Sequence, residues 1–173
     1  MTTIYSYNLL VPKYLNDKSL NDLSLTNKYW MLVSHEQRLL RSAKKLGWNS
    51  LAIKDDLEGI KLLHKYKIEG CTIWVMDLAS QNGHLDIVKF LHENRTEGCS
   101  YDAMDMASCN EHLDVVKWLH KNRTEGCTTW AMDWASAYGY LEIVKWLHEN
   151  RSEGCTIDAM DMASHYGHLD VVK

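Results

Sequence analysis

A 28-residue period constrains this chain more than any other feature. Cys71–Gly98 reads CTIWVMDLASQNGHLDIVKFLHENRTEG, Cys99–Gly126 reads CSYDAMDMASCNEHLDVVKWLHKNRTEG, and Cys127–Gly154 reads CTTWAMDWASAYGYLEIVKWLHENRSEG. A fourth copy opens at Cys155 and is truncated at Lys173. A degenerate copy precedes them, with Ala43–Asp56 (AKKLGWNSLAIKDD) as its first half and Leu57–Gly70 (LEGIKLLHKYKIEG) as its second. A unit this short cannot bury its apolar face alone, so successive units must stack. The period therefore sets residues 43–173 apart as a solenoid of units 43–70, 71–98, 99–126, 127–154 and 155–173, and leaves residues 1–42 as a separate, non-repeating segment.

Each unit reads as two helices. Pro12 is the only proline, so almost no backbone is barred from a helix interior. Thr72, Ser100, Thr128 and Thr156 stand where an N-cap belongs. About ten helical residues follow, ending at Gly83, Gly139 and Gly167, the residue type favoured just past a helix C-terminus. The second helix begins near His84, carries Asp86 in its first turn and ends at Asn94–Arg95. In the second unit Glu111 replaces the terminal glycine while its neighbours keep their places. The spacing predicts an unchanged turn with a strained, positive φ at Glu111, so that Glu111→Gly stabilises and Gly139→Glu destabilises by a similar amount.

The stretches MDLASQNGHLDIVKFLHENR, MDMASCNEHLDVVKWLHKNR and MDWASAYGYLEIVKWLHENR resemble the ankyrin repeat. That family's consensus has a Leu-His-x-Ala-Ala run, then Gly-His-Leu-Glu-Val-Val-Lys, then a leucine-rich turn, and the likeness covers about residues 43–173. It implies an all-α, ankyrin-like helical-repeat solenoid with short loops and a helical N-terminal segment, and a role in binding a protein partner rather than in catalysis. The chain departs from the family in two respects. Trp74-Val75, Asp102-Ala103, Trp130-Ala131 and Asp158-Ala159 replace the usual Thr-Pro start of the first helix. The unit is also shorter than the usual 33 or so residues, which removes part of the β-hairpin finger. Units of this length with a Trp-Leu-His ending resemble those of large DNA viruses and some protists.

The first helix separates core from surface. Met76, Ala79 and Ser80 recur unchanged as Met104, Ala107, Ser108 and as Met132, Ala135, Ser136, on one face at helical spacing. The opposite face varies: Trp74, Leu78, Gln81 and Asn82; Asp102 and Met106; Trp130, Trp134 and Tyr138; Tyr166. Constancy marks stacking and variation marks a face free to be tuned, so these ten residues form the expected binding surface, analogous to the ankyrin groove. Trp130, Trp134 and Tyr138 make an i, i+4, i+8 stripe that reads either as an interface hot spot or as packing against adjacent helices.

Asp77, Asp105, Asp133 and Asp161 occupy the place of the ankyrin histidine, which hydrogen-bonds between repeats; Asp can accept such bonds. His64, His92, His120 and His148 form a second ladder, also read as structural. Lys89, Lys117 and Lys145 with Asp86 and Asp114 read as a solvated face. No nucleophile–base pair, Gly-rich phosphate loop or metal cluster stands out, so no enzyme, cofactor, metal or small-molecule substrate is expected. Cys71, Cys99, Cys127 and Cys155 follow the repeat and make no CxxC pair, and stacked units sit too far apart to bridge them. Reduced cysteines, a net charge of -4, no long apolar run and no signal peptide predict a soluble intracellular protein, cytoplasmic or nuclear, that binds neither nucleic acid nor membrane.

In the N-terminal segment, YLNDKSLNDLSLTNKYW (residues 14–30) resembles the second half of an F-box, matching at Leu15, Leu20, Leu23, Leu25 and Trp30. There is no Leu-Pro opening. The resemblance implies docking on the adaptor of a cullin ubiquitin ligase, with the repeats choosing the substrate. The other reading is a helix that only caps the first repeat, as a solenoid end requires.

Overall fold

The computed structural model describes the backbone of residues 23–173 and the side chains from Lys28 onward, Tyr29 excepted. The chain divides into two compact units, Met1–Arg41 and Ser42–Lys173. The described residues form helices joined by short turns, with no strand among them. Helix α1 spans Leu23–Ile53 and is broken at Gly47, whose φ of 75° and ψ of 168° are not helical. Then come α2 (Leu57–Lys65), α3 (Ile73–Gln81), α4 (Leu85–Asn94), α5 (Asp102–Cys109), α6 (Leu113–Asn122), α7 (Thr129–Ala137), α8 (Leu141–Asn150), α9 (Ile157–Tyr166) and α10 (Leu169–Val172). This is the two-helix unit the period implies, and the fold is an all-α helical-repeat solenoid.

First helices pack on first helices, α3 on α5, α5 on α7 and α7 on α9. Behind them α2 packs on α4, α4 on α6 and α8 on α10. The constant triplets Met76-Ala79-Ser80, Met104-Ala107-Ser108 and Met132-Ala135-Ser136 are buried. Their small members admit the next helix closely. Each buried serine of the first two sets turns its hydroxyl back onto its own helix, Ser80 Oγ donating to the Met76 carbonyl and Ser108 Oγ to that of Met104, each at 2.8 Å. The second helices contribute Ile87, Val88 and Leu91, then Val115, Val116 and Leu119, then Ile143 and Leu147. Each such side chain removed from water stabilises by about 1.5–3 kcal/mol. In the degenerate unit Trp48, Leu51 and Ala52 fill the equivalent core places, and the Trp48 indole N–H is shared between the carbonyls of Ile68 and Glu69 at 3.3 and 3.2 Å.

The aspartate ladder clamps one unit to the next. Asp77 accepts the backbone N–H of Ser100 at 2.9 Å and its hydroxyl at 2.9 Å. Asp105 does the same for Thr128 at 2.8 and 2.6 Å, and Asp133 for Thr156 at 2.8 and 2.9 Å. The same hydroxyls accept the N–H of Asp102, Trp130 and Asp158, each at 3.1 Å; Thr128 and Thr156 thereby cap α7 and α9, whereas the residue at the cap of α5 is Tyr101 rather than the expected Ser100. Thr72 corrects the expectation of a uniform cap: it makes no side-chain cap bond. The place of the aspartate one unit earlier is held by Asn49, which is exposed.

The histidine ladder is structural too. The rings of His64, His92 and His120 meet Phe90, Trp118 and Trp146 of the following unit edge-on, with centroids 5.6, 5.2 and 5.2 Å apart. Arg123 lies 3.3 Å from Nδ1 of His92, and Arg151 lies 3.3 Å from Nδ1 of His120. Each of Arg95, Arg123 and Arg151 also pairs with the glutamate two residues on, which fixes the turn between units. Arg95 departs from its counterparts and lies over the Trp48 ring, 5.3 Å from its centroid.

The first helices of the complete units end in left-handed residues. Gly83 and Gly139 have φ of 73° and 76°, and Glu111 has φ of 66°, so the turn at Glu111 is unchanged and its backbone is strained, as expected from the spacing.

Candidate partner-binding face

On the side of the first helices away from the constant core lie the ten residues that vary between units. Trp74, Trp130, Trp134, Tyr138 and Tyr166 are exposed. Leu78, Gln81, Asn82, Asp102 and Met106 are half-buried. Trp130, Trp134 and Tyr138 expose 64%, 38% and 49% of their surface, so none of the three is enclosed in the core. Helical spacing brings Trp134 and Tyr138 together one turn apart, and their rings stack with centroids 5.8 Å apart and planes inclined by 24°. Tyr138 then meets Tyr140 at 5.9 Å. The stripe thus continues as an aromatic row past the end of α7.

Two members of the face are less available than their position implies. The Asn82 amide donates to the Leu78 carbonyl at 2.8 Å, on its own helix. Ala137, which shares the wheel position of Gln81, is buried, so that position lies at the edge of the face. Of the residues matched to the F-box pattern, Leu15 and Leu20 lie outside the described residues. Leu23 and Leu25 are described as α1 backbone only, and Trp30 is exposed.

The electrostatics of the unit are those of a packing element. Burial raises the carboxyls of Asp77 and Asp105 above the usual range, opposed by the bonds from Ser100 and Thr128. Burial, reinforced by nearby glutamates, pushes the thiols of Cys99 and Cys127 up to about 11. All five cysteines are free. Among the described residues no group of His, Cys, Asp or Glu could hold a metal ion, and no helix is long and apolar enough to cross a membrane.

Residues 76–120 and 132–173, about half of the chain, match the family model for ankyrin repeats (many copies). The chain is an ankyrin-repeat protein. Comparison with curated proteins found no match. The matched ranges take in Trp134, Tyr138 and Tyr166 and leave out Trp74 and Trp130. This chain has no β-hairpin finger among the described residues, so its variable surface is concentrated on the helices.

One set of joints escaped the reading of the sequence. The ring of His112 lies against Gly83 of the preceding unit and that of His168 against Gly139, so closely that neither glycine has room for a Cβ. The signal was there in substitution: where Glu111 replaces the glycine, Tyr140 replaces the histidine of the following unit.

Proposed function

We propose that this ankyrin-repeat protein is a non-enzymatic interaction module that binds a protein partner on the variable face of α3, α5, α7 and α9. The observation that carries the reading is the stacked pair Trp134–Tyr138 with Trp130 beside it: three large aromatic rings held in water on rigid helices. Exposed aromatics on a fixed scaffold are the residues that anchor interfaces. The experiment is capture of a partner by the whole chain and by Trp134→Ala. Loss of capture with an unchanged melting temperature supports the reading; unchanged capture contradicts it.

A narrower form makes the protein a substrate receptor of a cullin ubiquitin ligase, with residues 14–30 docking on the adaptor. It is supported by the F-box resemblance and by the exposed apolar run Trp30, Met31 and Leu32 on α1. The broader form treats the N-terminal segment as a cap alone. Co-purification of the adaptor with the whole chain, and its loss in Trp30→Ala, separates the two.

A further inference from the structure

The first turn of the first helix carries the same position in four successive units as Trp74, Asp102, Trp130 and Asp158, an alternation of indole and carboxylate along the face. Trp74, Trp130 and Asp158 are exposed and Asp102 is half-buried. Neither Asp102 nor Asp158 takes part in an ion pair among the described residues. Helices α3, α5, α7 and α9 contain no Lys or Arg at all, whereas the second helices carry Lys89, Lys117, Lys121 and Lys145. The aromatic face is therefore negative as well as apolar. Asp102 also adds its field to the buried carboxyls of Asp77 and Asp105.

We infer that the partner presents a basic segment to this face, with Lys or Arg side chains seated on the carboxylates of Asp102 and Asp158 against the indoles of Trp74 and Trp130. The inference rests on the proposed binding role of the face and names the chemistry of what binds. A carboxylate supplies the opposite charge, and an indole face attracts a cation better than any other side-chain ring. An acidic segment would meet unpaired like charge, and a neutral one would leave both carboxylates desolvated without a partner, which is costly. Stacked helices lie roughly 8–10 Å apart, so Asp102 and Asp158, two units apart, are separated by roughly 20 Å. An extended chain rises about 3.3 Å per residue. Two basic residues about six apart in an extended segment span the two sites.

The test is selection of short random peptides on the whole protein, on Trp134→Ala and on Asp102→Asn/Asp158→Asn, followed by titration of the best synthetic peptide at low and high salt. Peptides enriched in Lys and Arg are expected, lost on Trp134→Ala. Their affinity should fall at least tenfold on the double Asp→Asn variant, with a weaker dependence on salt. If the selected peptides depend on Trp134 but are acidic or neutral, or bind the Asp→Asn variant equally well, the face is a binding site and the basic-segment inference is wrong. If no selected peptide depends on Trp134, both the inference and the binding role fall.

Discussion

Glu111 holds a left-handed backbone, with φ of 66°, beside Tyr140, the residue that takes the place His112 and His168 hold against Gly83 and Gly139. Burial raises the Tyr140 phenol above its usual range, and the nearby Glu111 carboxylate adds to the shift. The pair occurs as Asp55 with His84 two units earlier: Asp55 has φ of 57° and its carboxylate is 3.5 Å from the imidazole. A side chain at the end of one first helix and a ring from the start of the next second helix therefore form one joint, filled in two ways. Either a glycine accepts an imidazole against its backbone, or an acidic residue bears the strain and meets the ring with its side chain.

Glu111→Gly is expected to stabilise the protein by up to about 1 kcal/mol, because the positive φ costs a side chain about that much and the added freedom of the unfolded chain takes part of it back. Denaturant melts check it. A destabilised variant would mean that the Glu111–Tyr140 contact outweighs the backbone strain.

Gly139→Glu is expected to destabilise by more than the strain of a positive φ, since its Cβ would collide with the His168 ring, and by more than Gly167→Glu, whose Cβ would meet nothing within 4 Å. The structure here corrects the expectation that Gly139→Glu and Glu111→Gly are mirror images. About 2 kcal/mol for Gly139→Glu against about 1 kcal/mol for Gly167→Glu is the anticipated contrast. Equal losses would show that the imidazole moves aside freely.

Asp105→Ala removes the acceptor of two bonds from Thr128 and is expected to destabilise by roughly 2 kcal/mol, with Asp105→Asn less affected because its amide oxygen still accepts the backbone N–H. The pH dependence has a definite sign. The Asp105 carboxyl lies above its ordinary value of 3.8 in the folded protein. It binds its proton more tightly folded than unfolded, so its contribution to stability grows as pH falls through the folded value and levels off below the unfolded one. The unaltered protein should therefore gain on Asp105→Asn between neutral pH and about pH 4. Melts of both at two pH values in which the variant gains instead would overturn the assignment.

The thiols should react in order of exposure. Cys99 is buried with its pKa pushed up to about 11, and Cys155 is exposed. Alkylation near neutral pH, followed by mass spectrometry, is expected to label Cys155 well before Cys99. Equal rates would show that the repeats open faster than the reagent reacts.

The fold could be read from the period, the caps and the constant Met-Ala-Ser face, because a repeat states its own packing each time it recurs. The role of Asp77 as an inter-unit acceptor followed from its place in the ankyrin pattern. The joints to Gly83 and Gly139 did not, because their partners lie 29 residues on, in the next unit, and a glycine looks the same whether it is needed for its φ or for a neighbour's ring. Nor did the turn built from Arg123 and Glu125, since two opposite charges two residues apart read equally well as solvated. On the variable face the sequence placed Trp134 and Tyr138 together but could not separate an exposed stack from a buried one; only the surface left open by neighbouring helices decides that.

The central claim is that the aromatic face of the first helices binds the partner. Its most direct test is the affinity of the partner for Trp134→Ala and for Lys117→Ala, which alters the exposed side of a second helix. Trp134→Ala is expected to weaken binding by about 2 kcal/mol, roughly thirtyfold, at an unchanged melting temperature, while Lys117→Ala leaves the affinity unchanged. Binding that survives Trp134→Ala and is lost in Lys117→Ala would place the interface on the opposite side of the repeats and contradict the claim.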